Sequence, residues 1–144
     1  MLKDIIEKGR YSFHKGFDNW EDAVKASCKP LLNEGVIEAE YTDSIIESIK
    51  KFGPYIVIAP NICIPHAQEG KGVNDTAICF MRTEEPVHFS DDPEQDAKLF
   101  FVLASTNNEK HMKNLVDMVE LIENQVVVEK LINSESVEDL KAII

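Results

Sequence analysis

Residues 98–104 read KLFFVLA. After the lysine the run is wholly apolar, with no polar–apolar alternation. A strand of this kind is buried on both faces and needs a covering layer on each side. The next twenty residues supply one such layer. In STNNEKHMKNLVDMVELIEN (105–124), Met112, Leu115, Val116, Val119 and Ile122 recur at helical spacing, and Thr106 and Glu109 have the spacing of a capping box. A doubly buried strand running into an amphipathic helix points to an α/β protein.

Working outward, QVVVEKLIN (125–133) and SVEDLKAII (136–144) predict two more short helices, the second opened by Ser134 or Ser136. Upstream, DTAICFM (75–81) predicts a strand, PVHFS (86–90) a short edge strand, and DDPEQD (91–96) a solvated loop. YIVIA (55–59), bounded by Pro54 and Pro60, and NICI (61–64) carry further β signal. Two helices precede them. DNWEDAVKASCKPLLNEG (18–35) can be capped by Asp18 or Asn19 and ended by Gly35, with Pro30 placed to kink or divide it. YTDSIIESIKKFG (41–53) can be capped by Thr42 or Asp43, carries the stripe Ile45, Ile46 and Ile49, and stops at Gly53. The first 17 residues are ambiguous beyond a candidate strand at YSFH (11–14). The expected fold is one α/β domain over residues 1–144, a mixed β-sheet flanked by helices on both sides.

The net charge of −11 argues against nucleic acid and against an anionic membrane surface as partners. It leaves room for a small anion held in one local site, because net charge governs steering and solubility. Cys28, Cys63 and Cys79 are an odd, scattered set, as expected of free thiols in a reducing compartment. The opening MLKDIIEKGRYSF lacks the apolar core of a secretion signal, and no apolar run approaches a membrane span. The expected location is cytoplasmic.

Two of the four histidines stand out. His66 follows Pro65, which pushes Ile64 into an extended conformation and sets the ring on a stiff stem at a strand end. A loop histidine that happens to follow proline fits the same dipeptide. His111 falls in the first turn or so of the helix after the buried strand, where free N–H groups favour an anion; an exposed surface residue fits its position as well. Ligands in open α/β sheets bind beyond the carboxyl ends of strands. Two imidazoles there suit phosphoryl transfer, with His66 as nucleophile and His111 as donor to the phosphoryl oxygens. A metal site at Cys63 and His66 would need two more ligands, and in a strand those positions face opposite ways. Cys63 as a catalytic thiol lacks an activator. His14 and His88 read as surface or edge residues without a partner, and Trp20 as packing. No nucleotide-binding or hydrolase fingerprint is present.

The segment GPYIVIAPNICIPHAQEGKGV (53–73) resembles the active-site segment of enzyme IIA components of the bacterial phosphoenolpyruvate-dependent sugar phosphotransferase system. The resemblance is to the mannitol/fructose-type superfamily and its ascorbate-like branch. DNWEDAVKASCKPLL (18–32), EPVHF (85–89) and NNEKHMKNLVDMVELI (107–122) look like further blocks of that branch in the same order. The resemblance implies that His66 is phosphorylated on Nε2 by the phosphocarrier HPr and passes the group to a cysteine of enzyme IIB, which serves the membrane component IIC. It implies that His111 is the second histidine of the site, that no cofactor or metal is used, and that the fold is a mixed sheet between helices. A homodimer is compatible with it. So is a regulatory module phosphorylated on His66 that acts through protein contacts instead of feeding a transporter. The chain departs from the mannitol-type pattern at one point: where those relatives carry an arginine, SIIESIKKFG (44–53) offers Lys50 and Lys51. Either a lysine helps neutralise the phosphate or that role is filled differently. Lysine is a point charge and not a bidentate fork.

Overall fold

The doubly buried strand forms β5, Asp96–Ala104, and it lies at the centre of a five-stranded sheet of order β1-β4-β5-β3-β2. The structure, a computed structural model, describes residues 1–67 and 71–144. The other strands are β1 (Tyr11–His14), β2 (Val57–Ala59), β3 (Asn61–Cys63) and β4 (Ala77–His88). The sheet is mixed: β1 runs parallel to β4 and β3 parallel to β5, while β4/β5 and β2/β3 are antiparallel.

Side-chain alternation along the sheet separates two cores. Cys79 and Met81 of β4, with Phe100, Val102 and Ala104 of β5, face α2 (Trp20–Glu34) and α3 (Ala39–Phe52). Ile78 and Phe80, with Leu99, Phe101 and Leu103, face a layer formed by α1 (Leu2–Glu7), α4 (Asn108–Glu123), α5 (Gln125–Ile132) and α6 (Val137–Lys141). KLFFVLA therefore feeds both cores in turn, which is why it has no polar face. No described helix is long and apolar enough to cross a membrane.

The helix ends follow local chemistry. Asn19 caps α2 by accepting from the Asp22 N–H at 2.8 Å, and Gly35 ends it in the left-handed region at φ 81°. Pro30 sits inside α2 without dividing it.

Several expectations need correction. α1 lies in the stretch left ambiguous, and its Ile5 is buried in the second core. α3 begins at Ala39 after Glu38, so Thr42 is a buried helical residue and neither Thr42 nor Asp43 is the cap. PVHFS is not a separate edge strand. Pro86–His88 belong to β4, an interior strand, and Pro86 falls inside the register irregularity between Arg82 and Val87, where a missing N–H is tolerated. Thr106 does not cap α4. The N–H groups of Thr106 and Asn107 both donate to Thr76 Oγ1 at 2.8 Å, and this leaves the Asn107 side chain to accept from the Lys110 N–H. The apolar stripe of α4 divides: Met118 and Leu121 are buried, whereas Met112, Val116 and Val119 are 59%, 52% and 54% exposed. Ser136 precedes α6, while Ser134 donates to the Leu131 carbonyl and closes α5.

Candidate functional site

Because β3 and β5 are parallel, both carboxyl ends reach the same edge of the sheet. Beyond β3 the chain stays tied to both neighbours for two more residues: Ile64 N–H donates to the Ile56 carbonyl, just before β2, at 2.8 Å, and Leu103 N–H of β5 donates to the Pro65 carbonyl at 3.1 Å. His66 is the next residue, released as the strand alignment ends. Beyond β5, the Thr76-anchored loop turns into α4, whose first turns carry His111. The two rings, far apart in sequence, thus line one cavity of about 480 Å³ with Tyr41, Ile58, Ile64, Leu103, Ser105 and Leu115.

The His66 ring is half-buried and oriented from two sides. Its Nδ1 lies 2.6 Å from the Ile64 carbonyl oxygen. A carbonyl can only accept, so Nδ1 carries a proton and donates. In the neutral ring Nε2 is then the bare nitrogen, on the edge turned away from that carbonyl. Tyr55 braces the same residue. Its hydroxyl donates to the His66 carbonyl, and its ring meets the imidazole edge-to-face at 5.2 Å and 86°. Burial pushes the Tyr55 phenol up, with a Ser48 hydrogen bond opposing, so it remains a donor at neutral pH.

Tyr41 ties the loop to the sheet. Its hydroxyl donates to the Leu103 carbonyl at 2.5 Å and accepts from the Ala67 N–H at 3.4 Å. Burial pushes this phenol up to about 12. Nothing in the spacing of the sequence singles out Tyr41 or Tyr55. One comes from α3 and the other from the turn before β2, and only the assembled sheet brings them to His66.

His111 is half-buried, and its Nδ1 is buried without a hydrogen-bond partner among the described residues. An orphaned ring nitrogen is uncommon and is tolerated where a site awaits a ligand. The described cavity lining holds no Lys, Arg, Asp or Glu. Lys50 pairs with Glu47 at 3.9 Å and Lys51 lies over the Phe52 ring at 5.2 Å, so neither lysine lines this cavity. The polar stretch 68–70 falls outside the described residues.

The other candidates lie elsewhere. His88, at the opposite end of β4, does have a partner: its Nδ1 is 2.8 Å from Asp96 Oδ1. His14 packs on Phe17 at 5.1 Å, and burial together with Lys29 lowers its pKa. Cys63 is fully buried and its thiol is pushed well up by desolvation, the opposite of an activated nucleophile. Burial likewise raises Cys28 to about 11 and Cys79 well above its usual range. Ile62 and Ile64 are buried in the second core. Trp20 packs against Phe89, with ring centroids 5.9 Å apart.

Comparison with known proteins places this architecture. The ascorbate-specific phosphotransferase system EIIA component of Mycoplasma pneumoniae is 30% identical over 91% of this chain and 82% of its own length. The solution structure of the mannitol-specific cryptic phosphotransferase enzyme IIA CmtB from Escherichia coli superposes with a TM-score of 0.87 at 26% identity, over 99% of this chain and 96% of that one. The Escherichia coli complex of mannitol enzyme IIA with phosphorylated enzyme IIB shares the fold, at a TM-score of 0.78 and 20% identity, over 93% of this chain and 92% of that one. The model of the phosphoenolpyruvate-dependent sugar phosphotransferase system EIIA 2 family matches residues 4–144, and the chain belongs to that family of phosphotransferase components.

Proposed function

We propose that this EIIA protein relays a phosphoryl group through Nε2 of His66. The observation that carries the reading is the Nδ1–H···O=C bond to Ile64, which assigns the proton to one ring nitrogen and leaves the other bare. The donor is the phosphohistidine of HPr. As the His66 Nε2–P bond forms, the P–N bond to HPr breaks, and the proton stays on Nδ1, hydrogen-bonded to the Ile64 carbonyl. In the second half-reaction a cysteine thiolate of the cognate IIB attacks phosphorus and His66 leaves with its lone pair on Nε2. Such transfers need in-line positioning and donors to the equatorial oxygens more than covalent machinery. With no cation in the described lining, those donors are the His111 ring and the Ser105 hydroxyl.

The group then serves sugar entry through IIC. Ascorbate is the sugar favoured by the name of the Mycoplasma pneumoniae relative. Exposed apolar residues at the site, Ile58 in the cavity wall and Met112 beside His111, suit brief contacts made in turn with HPr and IIB. Incubation with phosphoenolpyruvate, enzyme I and HPr is expected to place one acid-labile phosphoryl group on the chain. Purified ascorbate-type IIB is expected to discharge it. A label that forms but does not pass to IIB would favour a regulatory module; a label that survives His66→Ala would refute the assignment.

A further inference from the structure

On the other side of the Thr76 anchor lies a smaller cavity of about 210 Å³, lined by Asp4, Ile5, Lys8, Arg10, Thr76, Ala77, Ile78, Lys110, Lys113 and Asn114 together with Met1. It shares no lining residue with the His66–His111 cavity. Its charge is opposite to that of the molecule. The chain carries 26 acidic residues against 15 Lys and Arg, yet four cations and one acid line this cavity.

Arg10 is the central group. It is 8% exposed, and Glu34 takes one edge of its guanidinium, with Nε at 2.7 Å and Nη2 at 2.5 Å. Glu34 itself lies outside the cavity lining. The two N–H bonds of Arg10 Nη1 have no acceptor among the described residues. These N–H bonds are not among the buried polar atoms left without a partner, so they reach solvent and stay available to an acceptor. Lys113 is shared with Asp117 at 3.2 Å, but Lys8 and Lys110 have no ion-pair partner among the described residues. The opposing charges are Asp4 in the lining, Glu34 and Asp75 acting on Arg10, and Asp117, which Lys113 shares with the N-terminal ammonium of Met1 at 3.7 Å.

We propose that this cavity is a second anion site, for the phosphate group of inorganic phosphate or of a small phosphomonoester. Arg10 and Lys110 bind the oxygens, Lys8 and Lys113 add charge, and Ile5, Ala77 and Ile78 form an apolar wall for a few carbon atoms. The volume suits a compact dianion and is below the range of drug-sized ligands. Thr76 gives the site a physical tie to the relay: it lines this cavity, and its hydroxyl holds the two N–H groups that start the turn into α4.

The test is a ¹H–¹⁵N NMR titration of the His66→Gln protein with inorganic phosphate and, separately, with glycerol 3-phosphate. Saturable shifts are expected at Ile5, Lys8, Thr76, Ala77 and Ile78. The Lys8→Gln/Lys110→Gln pair, on exposed side chains that leave Arg10 and its core intact, is expected to weaken binding roughly tenfold, as loss of two charge-assisted contacts implies. Tighter binding of the ester would identify an organic phosphate as the ligand; equal binding would identify free phosphate. The proposal is overturned if neither probe shifts these residues, if shifts are confined to 64–67, Ser105 and His111, or if the double variant binds as tightly as its parent.

Discussion

His66 and His88 sit at opposite ends of the same sheet, and their rings are held in the same way. Each donates Nδ1–H to an oxygen, His66 to the Ile64 carbonyl and His88 to the Asp96 carboxylate, so each neutral ring leaves Nε2 bare. Their surroundings differ in every other respect. His66 lines a cavity whose described walls carry no formal charge, beside the mouth of α4. His88 is exposed at a rim where Asp91, Asp92 and Glu94 follow within a few residues. A dianion approaching His88 meets carboxylates; one approaching His66 meets an uncharged wall with His111 and Ser105 in it. The tautomer alone does not single out a phosphoryl acceptor, and the proposed choice of His66 over His88 rests on the field around the ring.

The largest effect tests that contrast directly. His66→Gln is expected to abolish phosphoryl labelling, whereas His88→Gln leaves it intact, as read by acid-labile incorporation from HPr. Label remaining in the first variant and lost in the second would reverse the comparison. His111→Gln is expected to slow transfer by about 10²–10³-fold, the usual loss for one oxyanion donor, with thermal unfolding little changed. An equally slow Asp96→Asn variant would show that the two ends are coupled. Tyr55→Phe keeps the edge-to-face ring and removes the bond to the His66 carbonyl. It is expected to slow transfer by several-fold, in line with about 1 kcal/mol for one hydrogen bond, and Tyr55→Leu by more. Single-turnover kinetics would separate the two variants.

The smallest effect concerns His14, whose folded pKa is lowered by burial and by Lys29. Its contribution to stability is present above the unfolded value near 6.5 and is lost as pH falls toward the folded value, because the unfolded chain binds the proton first. His14→Gln is expected to flatten that part of the pH–stability profile in denaturant titrations while labelling stays unchanged. Labelling that followed His14 would mean that the edge strand reports to the site.

Much of this was readable from periodicity. The unbroken apolar run of β5 predicts burial on two faces, and the caps at Asn19, Gly35 and Gly53 are legible because turn and cap chemistry is local. Where local signals compete, the tertiary contacts chose. Thr106 and Asn107 both resemble caps, and the choice fell to Asn107 because Thr76, from another strand, anchors the loop. The α4 stripe reads as a single buried face, but the sheet covers only the Met118 and Leu121 side and leaves Met112, Val116 and Val119 in solvent.

By itself, then, the amino-acid order determined most of the helices and strands, though not α1 or the full length of β4, together with the two-sided burial of β5 and the stiff Pro65 stem beneath His66, since side-chain facing within one element depends only on near neighbours. Which elements meet was decided by the fold. The parallel pairing of β3 with β5 brought His66 to the start of α4, delivered Tyr41 and Tyr55 as braces, and gathered four cations of an acidic chain around one small cavity. Spacing along a chain carries no record of such meetings, because they depend on the register and direction in which distant strands pair.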